Sequence, residues 1–303
     1  MDGVINVLKP TGMTSSDVVV WLRKILHTSK VGHVGTLDPG AAGVLPVCVG
    51  KATRIAEYLV SQGKLYRAEI TFGISTDTQD SFGKVLKTVQ PHLTRDDLQQ
   101  VLPAFCGQIQ QLPPMYSAVR HKGKHLYEYA RKGYAVERAA RTVNITQLDL
   151  LSWSGEEYPR AILDIECSKG TYIRTLCHDL GDALGCGAHM SYLLRLRSGP
   201  FSIQESWTLE EIEECYPKNP EAMFIPVKNC LDLPIVTLPG ERARAFANGL
   251  PTRRENIRAA GSESITEGIF LQVFAGEKLL GIGVWRDNNL YPHKVLCGQR
   301  LET

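Results

Sequence analysis

Residues 65–73, "LYRAEITFG", alternate without a break. Tyr66, Ala68, Ile70 and Phe72 fall on one side of an extended chain, and Arg67, Glu69 and Thr71 on the other. A period of two fits a strand with one face against a core, so this chain must build a sheet. "VLPVCVG" (44–50) suits a buried strand beside it, and "AILDIECSKG" and "SYLLRLRSGPF" add further strands. Helical patterns lie between them. Thr14 to Asp17 reads as a capping box before Val18, Trp21, Leu22 and Ile25, which share one helical face. "KATRIAEYLVSQG" suits a helix stopped by Gly63, "TRDDLQQVLPAFCG" a capped helix, and "TYIRTLCHDLGDALG" a helix with Ile173, Leu176, Leu180 and Leu184 on one stripe. The proline pair in "QIQQLPPMYSAV" restricts that stretch to an edge strand or irregular chain. The expected class is α+β, a mixed sheet flanked by helices. Near Leu231–Pro234 the helical periods fade. Short apolar runs such as "GIFLQVFAG" and "KLLGIGVW" take over, which predicts a small β-rich unit over 233–303 after a larger domain over 1–232.

Composition narrows the partners. The formal net charge is +2 over 303 residues, so contact with a nucleic acid would have to rest on a local patch. One exists. Between about 116 and 146, Arg120, Lys122, Lys124, Arg131, Lys132, Arg138 and Arg141 face only Glu128 and Glu137, with histidines and tyrosines interleaved. Its plain alternative is a solvated helix face. The eight cysteines form no C-x-x-C pair, which removes zinc ribbons and dithiol redox motifs and suits reduced, buried thiols. Lys9-Pro10 interrupts the N-terminal apolar run, and nowhere do eighteen apolar residues follow one another. A cytoplasmic chain, neither exported nor membrane-spanning, is expected.

The chemistry gathers in "KVGHVGTLDPGAAGVLP" (30–46), with four glycines, one histidine and one aspartate. It is no phosphate loop, because the spacing from Gly43 ends in Gly-Lys-Ala, and it holds no dinucleotide fingerprint. His33 has no companion at metal-ligand spacing, so no metal site is expected. Asp38 before Pro39 fits either an Asx-turn or a reactive carboxylate. Asp77 and Asp80 are candidates for the second carboxylate of a glycosidase, or simply solvated turn residues. Cys177 and His178 are helical neighbours that do not face each other, so they form no dyad. Pattern alone leaves both readings of Asp38 open.

Five blocks together are more specific: "LKPTGMTS" (8–15), "KVGHVGTLDPGAAGVLPVCVGKATR" (30–54), "YRAEITFGISTDTQD" (66–80), "QLPPMYSAVRHKGKHLYEYARKG" (111–133) and "CSKGTYIRTLCHDLGDALGCGAHMSYLLRLRSGPF" (167–201). In order and spacing they resemble the bacterial tRNA pseudouridine synthases of the TruB type, over the first three-quarters of the chain. The tail resembles that family's small RNA-binding domain, of the PUA type, only loosely. Arg120 stands where such sequences often have lysine.

The resemblance implies a pseudouridine synthase catalytic domain and isomerisation of the T-loop uridine, position 55 of tRNA, with base flipping and no cofactor. It implies Asp38 as the catalytic aspartate and Arg174 as its basic partner, holding the carboxylate ionised by depressing its pKa. Tyr66 maps onto the tyrosine that stacks on the target base, and His33 onto the histidine that fills the vacated space. Leu193 maps onto the apolar pocket wall, while Tyr172 and Lys9 lie in matching motifs and line the site or touch the backbone. Lys122, Lys124, Arg131 and Lys132 belong to an inserted segment that grips the T-arm of tRNA. The loop glycines 35, 40 and 43 are expected to let backbone crowd the nucleotide. A monomer with no obligate protein partner is expected. Two rivals stay open: a binding module that has kept the fold without turnover, and a hydrolase of free nucleosides.

Overall fold

The structure is a computed structural model that describes residues 1–259 and 266–297; the rest of the expected 233–303 unit lies outside the described residues. Among these, a nine-stranded mixed sheet runs in the order Gly3–Lys9, Ala42–Val49, Ala188–Ser198, Lys64–Phe72, Arg160–Cys167, Arg141–Ser154, Gly107–Gln111. Val31–His33 and Phe201–Ser202 pair at its side. The class is α+β, as expected.

The alternation that predicted the Lys64–Phe72 strand holds: Tyr66, Ala68, Ile70 and Phe72 are buried, whereas Arg67 is exposed and ion-paired with Asp164 of the neighbouring strand at 2.8 Å. The capping boxes at Thr14–Asp17 and Thr94–Asp97 form on both sides of the exchange, satisfying N–H groups that a helix start leaves unpaired. The segment after Pro114 is irregular, and Gly107–Gln111 is an edge strand. Three elements differ from expectation. The stretch expected as a helix over 51–63 is a 3-10 helix, Gly50–Ile55, running into a short α-helix, Ala56–Val60. Residues 141–146 of the basic stretch begin the longest strand of the sheet, Arg141–Ser154, because Val143, Ile145 and Leu148 turn into the core. The tail also carries a helix, Gly240–Ala247, which seals the second sheet through Ala243 and Phe246.

The join in the middle of the large sheet decides where a site can form. Ala42–Val49 and Ala188–Ser198 run parallel and share only two register pairs, Leu194 with Ala42 and Arg195 with Gly43. The two strands have no further register pairs, and residues 34–41 lead from the Val31–His33 strand into the start of this join. Gly43 makes the join possible. It sits at φ +112°, and a Cβ there would lie 2.3 Å from the Arg195 carbonyl oxygen, so only glycine allows the approach.

The second sheet has six strands, among them Phe270–Ala275, Lys278–Arg286 and Asn289–Val295, the first two from the predicted apolar runs. It packs on the first body through a shared apolar cluster in which Ile282 and Leu296 join Val4, Val44 and Ile55. Lys294 adds an ion pair to Glu57 at 2.8 Å, and Arg54 donates to the Val295 carbonyl.

Candidate active site

Residues 34–41 have no regular structure of their own, so their polar backbone groups need partners from elsewhere. The surrounding elements supply them one at a time. The buried Ser15 hydroxyl, at the start of the first helix, donates to the Leu37 carbonyl (3.0 Å) and accepts from the Leu37 N–H (2.9 Å). Gly12 N–H donates to Pro39 O at 2.9 Å. Arg195, fully buried behind the loop, donates from Nε to Val44 O (2.6 Å) and from Nη2 to Gly35 O (3.0 Å). The Lys9 ammonium bonds to the carbonyls of Pro10 (2.7 Å) and Met13 (2.6 Å), with that of Pro39 at 3.5 Å. Lys9 is completely buried, so it lies beneath the loop instead of lining the cleft. Burial pulls its pKa from 10.5 down to about 8, against the upward pull of Asp38 and with a further downward push from Arg195.

On this fixed loop Asp38 meets the arginine expected to pair with it. Arg174 stands in the first turn of the Ile173–Ala183 helix, a position the helix dipole disfavours for a cation. Its guanidinium bridges two carboxylates: Nη2 lies 3.4 Å from Asp38 Oδ2 and Nη1 lies 3.5 Å from Asp80 Oδ2. Nη2 also donates to the Tyr116 carbonyl at 2.6 Å. The three side chains differ in access: Arg174 is 6% exposed and Asp80 12%, but Asp38 is 40% exposed. The arrangement therefore offers one carboxylate to solvent and keeps the other as support.

Arg174 pulls the Asp38 pKa down, as expected, but does not win. Burial pushes it up first, the Asp80 charge pushes it up again, and the net direction is above the ordinary carboxylate value despite Arg174 and Lys9. Asp80 is itself held firmly. Its Oδ1 accepts from the Thr78 hydroxyl (2.6 Å) and the Phe82 N–H (3.0 Å), and its turn is pinned to the Ala188–Ser198 strand by Ser81 N–H to Met190 O at 3.1 Å.

The apolar candidates gather beside these charges. Tyr66, Leu193, Leu37 and Ile173 belong to one buried cluster, with Tyr66 directly across from Arg195 in the register. Burial raises the Tyr66 phenol pKa above its usual value, opposed by Arg195, so it is neutral at pH 7. His33 is half-buried, with Nδ1 lacking a hydrogen-bond partner among the described residues. Burial and Arg195 lower its pKa below 6.5, which leaves a neutral ring at pH 7. Tyr172 precedes the Arg174 helix, and the Arg174 guanidinium carbon lies 5.9 Å from the centre of its ring.

The loop glycines have protein neighbours as well. Gly43 serves the strand join and Gly40 leaves space for the Phe82 ring, whereas Gly35 is favoured by its φ of +74°. Arg195 and Gln111 carried no signal. Arg195 sits in a strand where alternation gives no hint that its charge points inward. Gln111 is the last of several glutamines, yet it alone is buried. Its side chain accepts from Tyr172 N–H (2.7 Å) and donates to Tyr172 O (3.0 Å), fixing the start of the Arg174 helix.

The basic candidates lie apart from the carboxylates. Lys122 and Lys124 belong to the Arg120–His121 and Lys124–His125 hairpin, and Arg131 and Lys132 follow the short Leu126–Ala130 helix. All four are exposed, and none has an acidic partner within 4.0 Å among the described residues. Arg131 covers the ring of Tyr127, on whose other neighbour, His125, the ring stacks at 5.3 Å.

Comparison with known proteins agrees with this geometry. Residues 23–173 match the TruB family pseudouridylate synthase N-terminal domain, and residues 174–232 the tRNA pseudouridylate synthase B C-terminal domain. The tRNA pseudouridine synthase B of Symbiobacterium thermophilum is 53% identical over 82% of this chain and 83% of its own. That of Heliobacterium modesticaldum is 43% identical over 100% and 97%. Among solved structures, a Cbf5-Nop10-Gar1 complex superposes with a TM-score of 0.77 at 29% identity, covering 98% of this chain and 85% of that one. No helix among the described residues is long and apolar enough to cross a membrane. With a mixed sheet, a paired aspartate on its central loop and these relatives over its whole length, the chain belongs to the TruB family of tRNA pseudouridine synthases, which are isomerases.

Proposed function

We propose that the chain converts the T-loop uridine of tRNA, position 55, to pseudouridine, with Asp38 as the attacking group. The observation that carries this reading is a half-buried carboxylate, Asp38, on a hydrogen-bonded loop, paired with a guanidinium that the more deeply buried Asp80 also contacts. The reaction breaks the bond from ribose C1′ to N1 and forms one from C1′ to C5. The C5 hydrogen leaves as a proton and N1 gains one, so no electrons are exchanged and no cofactor is called for. Attack at C1′ or at C6 of the ring would use the same carboxylate, and either requires it ionised. A neutral Tyr66 stacks on the extruded base, the neutral His33 ring fills the space it leaves, and Leu193 and Tyr172 wall the pocket. Lys9 acts from below, holding the loop.

Lys122, Lys124, Arg131 and Lys132 grip the phosphates of the T-arm, and the unit from 233 onward adds RNA contact to the catalytic domain of 1–232. The chain works in the cytoplasm as a monomer without an obligate protein partner. The test is tritium release from tRNA transcript labelled at uridine C5, since that hydrogen must leave for water. One equivalent released by the native chain, and none by Asp38→Asn or from a transcript with cytidine at position 55, supports the reading. Tight tRNA binding without release would assign the fold to binding alone, and consumption of free uridine would assign it to hydrolysis.

A further inference from the structure

Phe82 is 77% exposed, more than any other large apolar side chain among the described residues. Single exposed apolar groups are ordinary on protein surfaces, so exposure alone says little. Two further observations separate Phe82 from that background. First, its turn is closed by hydrogen bonds. The Phe82 N–H donates to Asp80 Oδ1 at 3.0 Å, Ser81 N–H donates to Met190 O at 3.1 Å, and Lys84 N–H donates to Asp77 Oδ1 at 2.8 Å. Second, the ring lies over the loop that carries Asp38. A Cβ added at Gly40 would sit 2.0 Å from Phe82 Cε2, so the ring occupies the space beside the residue two positions after Asp38. The carboxylate that holds the Phe82 backbone is also the one that shares Arg174 with Asp38. An exposed aromatic ring on a hydrogen-bonded turn thus lies beside the loop that carries Asp38, apart from the buried Tyr66.

Extruding a base strips its neighbours of one stacking partner, and proteins recognise unstacked bases by offering aromatic faces. We propose that Phe82 is a positioning residue that stacks on a nucleotide flanking the target uridine, holding the opened strand against the cleft. The proposal rests on the function proposed above and deepens it, since it assigns a contact to the RNA outside the reacting base.

The test uses the full chain and T-arm stem-loop RNAs carrying C5-tritiated uridine, under single-turnover conditions with enzyme in excess. Three RNAs are compared: the natural loop, one abasic on the 5′ side of the target and one abasic on the 3′ side. Phe82→Ala is expected to raise the half-saturating enzyme concentration about tenfold on the natural loop, with Phe82→Trp restoring it. On one of the two abasic RNAs, the native chain and Phe82→Ala should become equal, because the stacking partner is gone. A merely structural role would weaken all three substrates alike. The proposal is overturned if Phe82→Ala matches the native chain on the natural loop, or if its deficit persists on both abasic RNAs. Absence of release by the native chain would instead remove the reading beneath the proposal, and the proposal with it.

Discussion

The loop that carries Asp38 and the basic segment from Tyr116 to Ala140 both lie outside the nine-stranded sheet, and they are built in opposite ways. In the first, the charged groups are paired or bound: Arg174 with Asp38 and Asp80, Lys9 with backbone carbonyls, Arg195 with two more. In the second, Lys122, Lys124, Arg131 and Lys132 stand in solvent without acidic partners among the described residues. Desolvated charge that is paired fixes geometry, because breaking the pairing leaves an uncompensated charge. Solvated charge that is unpaired fixes nothing locally, but remains available to phosphates. The difference separates two tasks within one chain, placing one carboxylate and collecting a polyanion. The bond from Arg174 to the carbonyl of Tyr116, at the root of the basic segment, joins them.

The sharpest break of that comparison is Asp38→Asn. Turnover should fall at least about a thousandfold, equivalent to about 4 kcal/mol of barrier, with tRNA affinity retained. Tritium release alongside filter binding measures both. Next is Arg174→Lys, whose shorter ammonium cannot bridge two carboxylates; turnover should fall about a hundredfold. The sign of its pH effect is fixed. Asp38 must be ionised and its pKa is already raised, so activity is lost as pH falls through that raised value. Weakening the cation that opposes the rise moves the acid limb of the pH–rate profile to higher pH. A limb that moved to lower pH would contradict the electrostatic assignment.

The elements of the site were legible in unequal measure, for a physical reason. Local rules worked wherever the partner was near in sequence: the alternation at 65–73, the capping boxes at Thr14 and Thr94, and the proline-limited edge near 111. Asp38 and Arg174 were named from resemblance, and their pairing spans more than a hundred residues that no local period encodes. Arg195 and Gln111 were invisible because their partners, Val44 with Gly35 and Tyr172, come from other elements. Asp80 was open between a second carboxylate and a solvated turn residue, because its tie to Arg174 exists only once the turn is pinned to Met190. The strand from Arg141 was hidden under its own basic start.

Two smaller effects sharpen the contrast from either side. Neutralising Lys122, Lys124, Arg131 and Lys132 together should make the salt dependence of tRNA binding shallower by about 3 in log–log slope, at roughly 0.7–0.9 for each phosphate that is no longer neutralised. Binding measured across a salt series reads this directly. Gln111→Ala takes the side-chain partner from the part-buried Tyr172 N–H, while the Tyr172 carbonyl keeps the Leu176 N–H at 3.0 Å, and should cost about 1 kcal/mol in chemical denaturation. Turnover should drop more than affinity does, since the helix start that carries Arg174 loosens.

The most direct measurement of the division of labour is single-turnover tritium release as a function of enzyme concentration, for the native chain, Arg174→Lys and the fourfold neutralised variant. The account predicts that Arg174→Lys lowers the plateau rate and leaves the half-saturating concentration in place. The fourfold variant should do the reverse, raising the half-saturating concentration with an unchanged plateau. A fourfold variant that lowered the plateau, or an Arg174→Lys that altered only the half-saturation point, would contradict the separation of chemistry from grip.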